Sequence, residues 1–361
     1  MPFDVSPALK HRVHLGAAYF GPGLGGISRV ARLTARALLE YEHELSMTSL
    51  HDADETEIGG VDVVRTGQNK LAFTARCQME KYKSGHAIYD QTGVARAHLN
   101  HPVFRRPYAI WMHGIDVWYG LKPKEKRVLK GATARFIGSQ YSLDRYREYH
   151  SEDTEVDVCW LATEENSPPK RSADFTGRPT VFFLARIDDL SGAKGHQEVL
   201  DAWPAVVSAV PDALLVFAGT GPGLEALKDA VARSPARSSI EVRGFVEERD
   251  LEHLWSQSHV FAMPSRKEGF GLVYIEAMRS GVPVIASIHD AGAEVNVDGE
   301  TGFNVDLSEK DCLTDRLIAL LKTPDLACSM GQAGRARWQR NFSFDRFADR
   351  FHPIVTRFLD R

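Results

Sequence analysis

Cysteine is scarce and scattered in this chain, with Cys77, Cys159, Cys312 and Cys328 the only four in 361 residues. No C-x-x-C pair occurs, so their spacing builds neither a zinc site nor a disulfide framework, and a reducing compartment fits. Apolar runs are short. None approaches the roughly 18 residues that a membrane-spanning helix needs, and residues 1–12 lack the hydrophobic stretch of a signal peptide. The expectation is a cytoplasmic protein, free or peripheral at the inner face of the membrane. Positive charge is not in excess either. The net charge of -4 argues against a dedicated nucleic-acid binder, whose domain would be basic. Low-complexity tracts and short-period repeats are also missing, which argues against a solenoid.

What is present is length and alternation. A chain of 361 residues exceeds the usual single core, so two domains are expected. Strand-like apolar runs alternate with amphipathic helical patterns, the signature of parallel α/β layers. The first series falls at 13–19, 44–49, 61–64, 87–89, 108–112, 135–138 and 156–161. Residues 164–179, with Pro168, Pro169 and Gly177 among charged and small residues, read as a linker. A second series follows at 180–184, 214–218, 240–244, 260–263 and 284–286, with helices at 196–210 and 251–256 among those between. The reading is an α/β fold of two Rossmann-like domains facing across a cleft, 1–165 and 180–340. The closing segment 341–361 carries Phe344, Phe347, Phe351, Val355 and Phe358 at helical spacing, with Pro353 expected to kink it.

The segment Glu268-Gly-Phe-Gly-Leu-Val-Tyr-Ile-Glu276 sets two carboxylates across a strand-to-helix turn. A strand at 260–263 runs into Pro264-Ser265, Gly269 and Gly271 permit close backbone approach, and 273–280 has helical character. Free amides at such a helix start make an anion site. Glu268 would sit beside that anion in the loop, while Glu276, further into the helix, would reach a neutral hydroxyl-bearing part of the same ligand. A nucleotide sugar has that layout. The bland alternative is a solvated helix start with favourable acidic charge.

The run 268–287, EGFGLVYIEAMRSGVPVIAS, resembles the donor-site signature of retaining glycosyltransferases of family 4, which have the GT-B fold. The neighbours Gly269, Phe270, Gly271, Ala277, Gly281 and Pro283 make the likeness specific. The resemblance implies metal-independent transfer of a hexosyl unit from a UDP- or GDP-sugar to a hydroxyl of a glycan or lipid-linked saccharide. No cofactor beyond that donor substrate is implied. It also implies that Gly269, Phe270, Gly271, Leu272 and Glu276 hold the donor, that Glu268 serves the sugar, and that the last helix crosses back onto the N-terminal domain. A nucleotide-sugar 2-epimerase of the same fold and a non-catalytic nucleotide-sugar-binding protein are the alternatives.

Other motifs bear on this reading. Gly21-Pro-Gly-Leu-Gly-Gly26 satisfies G-x-G-x-x-G, follows a strand, and opens a helix with Ile27, Val30, Thr34, Ala37 and Leu38 on one face. With Asp52 or Asp54 as a ribose acid it reads as a dinucleotide fingerprint. It equally resembles the first-domain loop GG-x-x-R of family 4, as Gly25, Gly26 and Arg29. A dehydrogenase does not need Glu268 and Glu276, which decides between them. The strand at 180–184 runs on to Arg186, and Lys194-Gly195-His196 follows; by the resemblance Arg186 and Lys194 grip the donor diphosphate. Fixed cations that neutralise a departing diphosphate act selectively in the transition state. The loop 187–193 is longer than the family's, which leaves the alignment of Lys194 open.

His113, in Trp111-Met-His-Gly-Ile-Asp116, lies just past an apolar strand at the carboxyl edge of its sheet, where α/β folds place ligands. A lone histidine there is more often structural; the resemblance implies that it faces the donor sugar. Asp116 either orients that imidazole, contacts acceptor or caps a turn. Gly219-Thr-Gly-Pro-Gly223 and Arg243-Gly-Phe-Val246 look like the family's elements around the nucleotide, with Phe245 near the base. Asp290-Ala-Gly-Ala-Glu294 and Gly299-Glu-Thr-Gly302 match its loop beyond the sugar. Asp52-Ala-Asp54 mimics a metal-binding D-x-D, but with Glu55 and Glu57 it reads as a solvated acidic loop, and no metal is implied. The basic residues between Lys122 and Lys130, with Arg105 and Arg106, read as a solvated helix face or as a contact for anionic lipid or a lipid-diphosphate acceptor.

Overall fold

Short runs rich in β-branched and aromatic residues, buried on both faces, favour parallel strands covered by helices. The computed structural model describes residues 10–100, 105–150, 155–170, 173–190 and 193–361 and contains two such sheets. Residues 1–9, the pair 171–172 of the expected linker and the pair 191–192 of the loop before Lys194 lie outside the described residues. The chain divides into two units. One combines Met1–Gly138, Leu143–Trp160 and Asp345–Arg361, and the other Ser139–Ser142 with Leu161–Phe344.

The first unit holds β1 (Arg12–Ala17), β2 (Glu44–Ser49), β3 (Glu57–Ile58), β4 (Val61–Arg65), β5 (His86–Tyr89), β6 (Tyr108–Met112), β7 (Ala134–Ile137) and β8 (Asp157–Val158). Their order is β3-β4-β2-β1-β5-β6-β7-β8, parallel except for the β3/β4 edge hairpin. All five residues of β6 are buried. The expected strand at 156–161 shortens to β8, and β3, too brief to show a period, was not foreseen. Among the described residues no helix is long and apolar enough to cross a membrane.

The helix Phe344–Leu359 completes this unit, as the resemblance implied, and runs on with Pro353 inside it. Its Phe347 and Phe351 rings stack on Trp111 at centroid distances of 6.2 and 5.7 Å, and Phe351 meets Phe136 edge-on at 5.4 Å. Phe347 and Phe351 are fully buried, each stabilising the docked helix by about 1.5–3 kcal/mol. His352 stacks on Tyr41, at the end of the first-unit helix Gly26–Glu40, at 3.7 Å.

The second unit holds β9 (Thr180–Leu184), β10 (Leu214–Ala218), β11 (Ile240–Gly244), β12 (Val260–Ala262), β13 (Val284–Ser287) and β14 (Gly302–Val305), all parallel in the order β11-β10-β9-β12-β13-β14. β14 was not foreseen because it begins inside what reads as a turn. A Cβ on Gly302 would lie 1.8 Å from the Val284 carbonyl oxygen, so glycine is what lets this edge strand close on β13. The segment expected as a linker makes hydrogen bonds within this unit. Lys170 N–H donates to the Glu252 carboxylate at 3.0 Å and Asp174 N–H to the Ser256 carbonyl at 2.9 Å.

Candidate active site

In the second unit, β12 ends against Pro264 and a loop leads to the helix Leu272–Ser280. Gly271 caps that helix with φ +91, and a Cβ there would stand 2.2 Å from the Tyr274 ring. Only glycine combines that left-handed backbone with that closeness. Glu268 lies in the loop and Glu276 in the second helical turn, both half-buried. Gly269 offers its carbonyl to two fully buried serines, Ser139 Oγ at 2.7 Å and Ser142 Oγ at 2.8 Å. Phe270 is buried, its ring 6.0 Å from that of Phe342, so its side chain serves the core. Leu272, half-buried, is the first helical residue.

Lys194 and Glu268 meet at 2.6 Å although 74 residues separate them. Burial pulls the Lys194 ammonium down, but the charge and hydrogen bond of Glu268, with Asp290 and Asp188, outweigh it and hold the group above the ordinary lysine value. Lys194 is therefore a fixed cation. Arg186 is exposed beyond the end of β9 and pairs with Asp188 at 2.6 Å instead of joining Glu268. The loop at Gly219 packs onto that strand end so closely that a Cβ on Gly219 would lie 1.8 Å from the Ala185 carbonyl oxygen. Gly219 N–H in turn donates to the Gly244 carbonyl at 2.7 Å, and Phe245 follows with its ring exposed. Three adjacent strand ends thus present Arg186, the Gly219 loop and Phe245 at one edge.

Two further features surround the Glu268 loop. Asp290 is buried under the Glu268 loop, and burial lifts its carboxyl to about 7 against opposing hydrogen bonds from Ser265, Gly292 and Glu268. The segment Ser139–Ser142 comes from the chain's first half, and its amides at Gln140 and Tyr141 donate to the Glu294 carboxylate at 3.0 and 2.9 Å. The two acidic ends of 290–294 were visible in sequence; the partners of Glu294, more than a hundred residues away, were not.

In the first unit, Gly25 caps the helix Gly26–Glu40 with φ +93, and both glycines are exposed. The loop before them is pinned from below. Asp52 accepts the N–H groups of Phe20 at 2.7 Å and Gly21 at 3.2 Å, while Arg32 donates to the Gly21 carbonyl at 2.8 Å. This corrects the solvated-loop reading of Asp52, which is buried because unpaired amides in a tight turn need an acceptor. With its oxygens so engaged it does not serve as a ribose acid, which leaves only the exposed Asp54 for that part in the dinucleotide alternative. Among the described residues no cluster could hold a metal ion.

His113 follows β6, half-buried. Its Nε2 bonds the Asp90 carbonyl, which makes Nε2 the protonated nitrogen and leaves Nδ1 an acceptor in the neutral ring. Asp116 caps the turn, accepting the His113 backbone N–H at 2.9 Å, and does not touch the imidazole. Burial raises the Asp116 carboxyl and lifts that of Asp90, fully buried and bonded to the Ala18 N–H at 2.8 Å, to about 8.

The pattern of the family described as glycosyl transferases group 1 matches residues 166–337. A Corynebacterium glutamicum GDP-mannose-dependent monoacylated alpha-(1-6)-phosphatidylinositol monomannoside mannosyltransferase is 30% identical over 264 residues, 67% of this chain and 68% of the relative. A Mycolicibacterium smegmatis GDP-mannose-dependent alpha-(1-6)-phosphatidylinositol monomannoside mannosyltransferase is 37% identical over 167 residues, 44% of this chain and 42% of the relative. Among solved structures, a sucrose-phosphate synthase from Thermosynechococcus elongatus superposes with a TM-score of 0.79 at 18% identity, covering 96% of this chain and 99% of the other. An Anabaena protein solved with UDP and glucose gives 0.78 at 15% identity, covering 96% and 100%. These two likenesses are of fold.

Proposed function

Because the chain belongs to the group 1 glycosyl transferases and is a retaining, nucleotide-sugar-dependent glycosyltransferase of the GT-B fold, we propose that it moves mannose from GDP-mannose to a lipid-linked saccharide. The observation that carries this reading is the 2.6 Å contact of Lys194 with Glu268 just before the helix Leu272–Ser280. A sugar diphosphate needs that pairing: a cation for the phosphates and, beside it, a carboxylate for sugar hydroxyls. The choice of GDP-mannose and of a lipid-linked acceptor rests on what the similar proteins are named for.

In this reading Lys194 and Arg186 neutralise the departing diphosphate, so no protonating acid is required. Glu268 accepts hydrogen bonds from the sugar and Glu276 from the ribose. Gly269, Gly271, Leu272 and Phe270 contribute backbone at the helix start, and Phe245 lies near the base. Gly25 and Gly26 serve the donor phosphates or the acceptor, and His113 orients the sugar. The acceptor oxygen bonds to the anomeric carbon on the face that the phosphate leaves, and the departing phosphate oxygen takes the acceptor's proton. The acceptor domain is 1–165, the donor domain 180–340, and 341–361 the closing helix.

A lipid-linked acceptor calls for action at a membrane surface, and we place the enzyme in the cytoplasm, peripheral at the inner face. The helix Pro123–Gly131 supports this with Lys124, Lys126, Arg127 and Lys130 exposed, while its Glu125 turns back to accept the Lys122 N–H at 2.9 Å. Each such cation contributes about 1 kcal/mol near an anionic surface. Incubation with GDP-mannose and a phosphatidylinositol mannoside, followed by proton NMR of the product, tests the whole. An α-linked product formed from the α-linked donor in the presence of EDTA is expected. An inverted anomeric signal, or activity abolished by EDTA, overturns the mechanism; turnover with UDP-sugars alone overturns the donor.

A further inference from the structure

Under the Glu268 loop lies a carboxylate for which the transfer reading has no use. Asp290 is 1% exposed. Its Oδ2 accepts the Ser265 hydroxyl at 2.5 Å and the Glu268 N–H at 2.9 Å, and its Oδ1 accepts the Gly292 N–H at 2.9 Å. The next residue closes the clamp from the other side, Ala291 N–H donating to the Glu268 carbonyl at 3.2 Å. Both peptide groups of Glu268 are therefore tied to positions 290 and 291. The Ser265 hydroxyl oxygen lies 3.1 Å from that of Tyr274, and Tyr274 donates to the Met263 carbonyl at 2.7 Å, which packs the clamp against the end of β12.

We propose that Asp290 is a positioning residue for sugar transfer, its ionised carboxylate fixing the peptide that carries Glu268. This rests on the placement of Glu268 at the donor sugar. The clamp is strongest in the ionised form. Three donors converge on the two oxygens, and each bond is stronger to a carboxylate than to a neutral carboxyl, so a proton weakens the hold on the loop. The charged or titratable groups around the carboxylate are Lys194, Glu268 and Tyr274. Burial, with some repulsion from Glu268, brings the group to about 7, so the clamp loosens on the acid side of neutrality.

The test uses the full chain with GDP-mannose and a phosphatidylinositol mannoside, reading kcat from about pH 5.5 to about 8.5 and GDP affinity by calorimetry. Asp290→Asn keeps the shape but loses one acceptor. Its kcat should fall about 10- to 100-fold, the cost of a slightly misplaced reacting group, with GDP affinity unchanged, and the acid limb near neutrality should vanish. Ser265→Ala removes one donor from the ionised form, so its acid limb should move to higher pH. Wild-type kcat and profile in Asp290→Asn overturn the proposal, as does an unmoved limb in Ser265→Ala, which decides the matter if Asp290→Asn does not fold. Glu268→Gln separates the two readings: normal turnover there defeats the placement of Glu268, whereas lost turnover beside a normal Asp290→Asn defeats the clamp alone.

Discussion

In the second unit two of the side chains singled out for chemistry touch, Lys194 on Glu268, with Asp290 packed under their loop. In the first unit Asp52, Asp90, Asp116 and Arg32 are spent on main-chain groups, and His113 leans on a carbonyl. The second arrangement builds a site from charged groups, the first a shape from pinned backbone. Charged groups at set spacings leave a pattern that survives in sequence, and the family match accordingly covers 166–337. Pinned backbone leaves little, because many side chains can satisfy an amide.

That contrast predicts where the molecule breaks first. Burial lowers His14 and His98 in the first unit, and His196 in the second, from the ordinary 6.5 to about 4. The unfolded chain takes these protons first, so the stability they contribute is whole above pH 6.5 and is lost as pH falls from 6.5 toward 4. Each group accounts for at most about 3 kcal/mol. With two of the three, the first unit should lose hydrogen-exchange protection in β1 and β5 before β9 and β10 do. Earlier loss in the second unit would reverse the comparison.

Catalysis should break in the other unit. Glu268→Gln should lower turnover about 100- to 1000-fold, the range for removing one preorganised polar contact to a transition state. GDP affinity should hold or tighten, since Lys194 loses the carboxylate that competes for it. A parallel loss of GDP binding by calorimetry would move Glu268 off the sugar. Glu276→Ala should weaken GDP itself by about 1.5–3 kcal/mol, the worth of a charge-assisted bond to the ribose. Unchanged affinity would take Glu276 off the nucleotide. The smallest effect sharpens the contrast from the first unit. Asn69 caps the helix Lys70–Ser84 through Leu71 and Ala72 N–H at 3.1 and 3.0 Å, and Asn69→Ala should cost about 1 kcal/mol of stability with transfer rate unaltered.

The sheets were legible because parallel strands covered on both faces write themselves as unbroken apolar runs, as 108–112 and 180–184 do. β3 and β14 were not, one for want of length and the other because Gly302 reads as a turn until the Val284 carbonyl is seen against it. At the site, the carboxylates of Glu268 and Glu276 were legible from their glycine neighbours and from family resemblance. Ser139, Ser142 and the depth of Asp290 were not, since a serine hydroxyl meeting a carbonyl 130 or 127 residues away has no period or spacing. Asp52 misled for the opposite reason: its neighbours Asp54, Glu55 and Glu57 are polar, while its own partners lie 31 and 32 positions back.

The helix Phe344–Leu359 has a consequence for the chain while it is still being made. Synthesis at about 5–20 residues per second normally lets an N-terminal domain fold before the next one emerges. Here Trp111 and Phe136 are covered by Phe347 and Phe351, so the unit whose strands leave the ribosome first waits for residues 345–361 to close its aromatic face. The second unit, from Leu161 onward, has its whole sheet available earlier. The order of completion thus runs against the order of translation. Until the last turn of helix arrives, the nascent first unit carries an open aromatic surface of the kind that holdase chaperones bind.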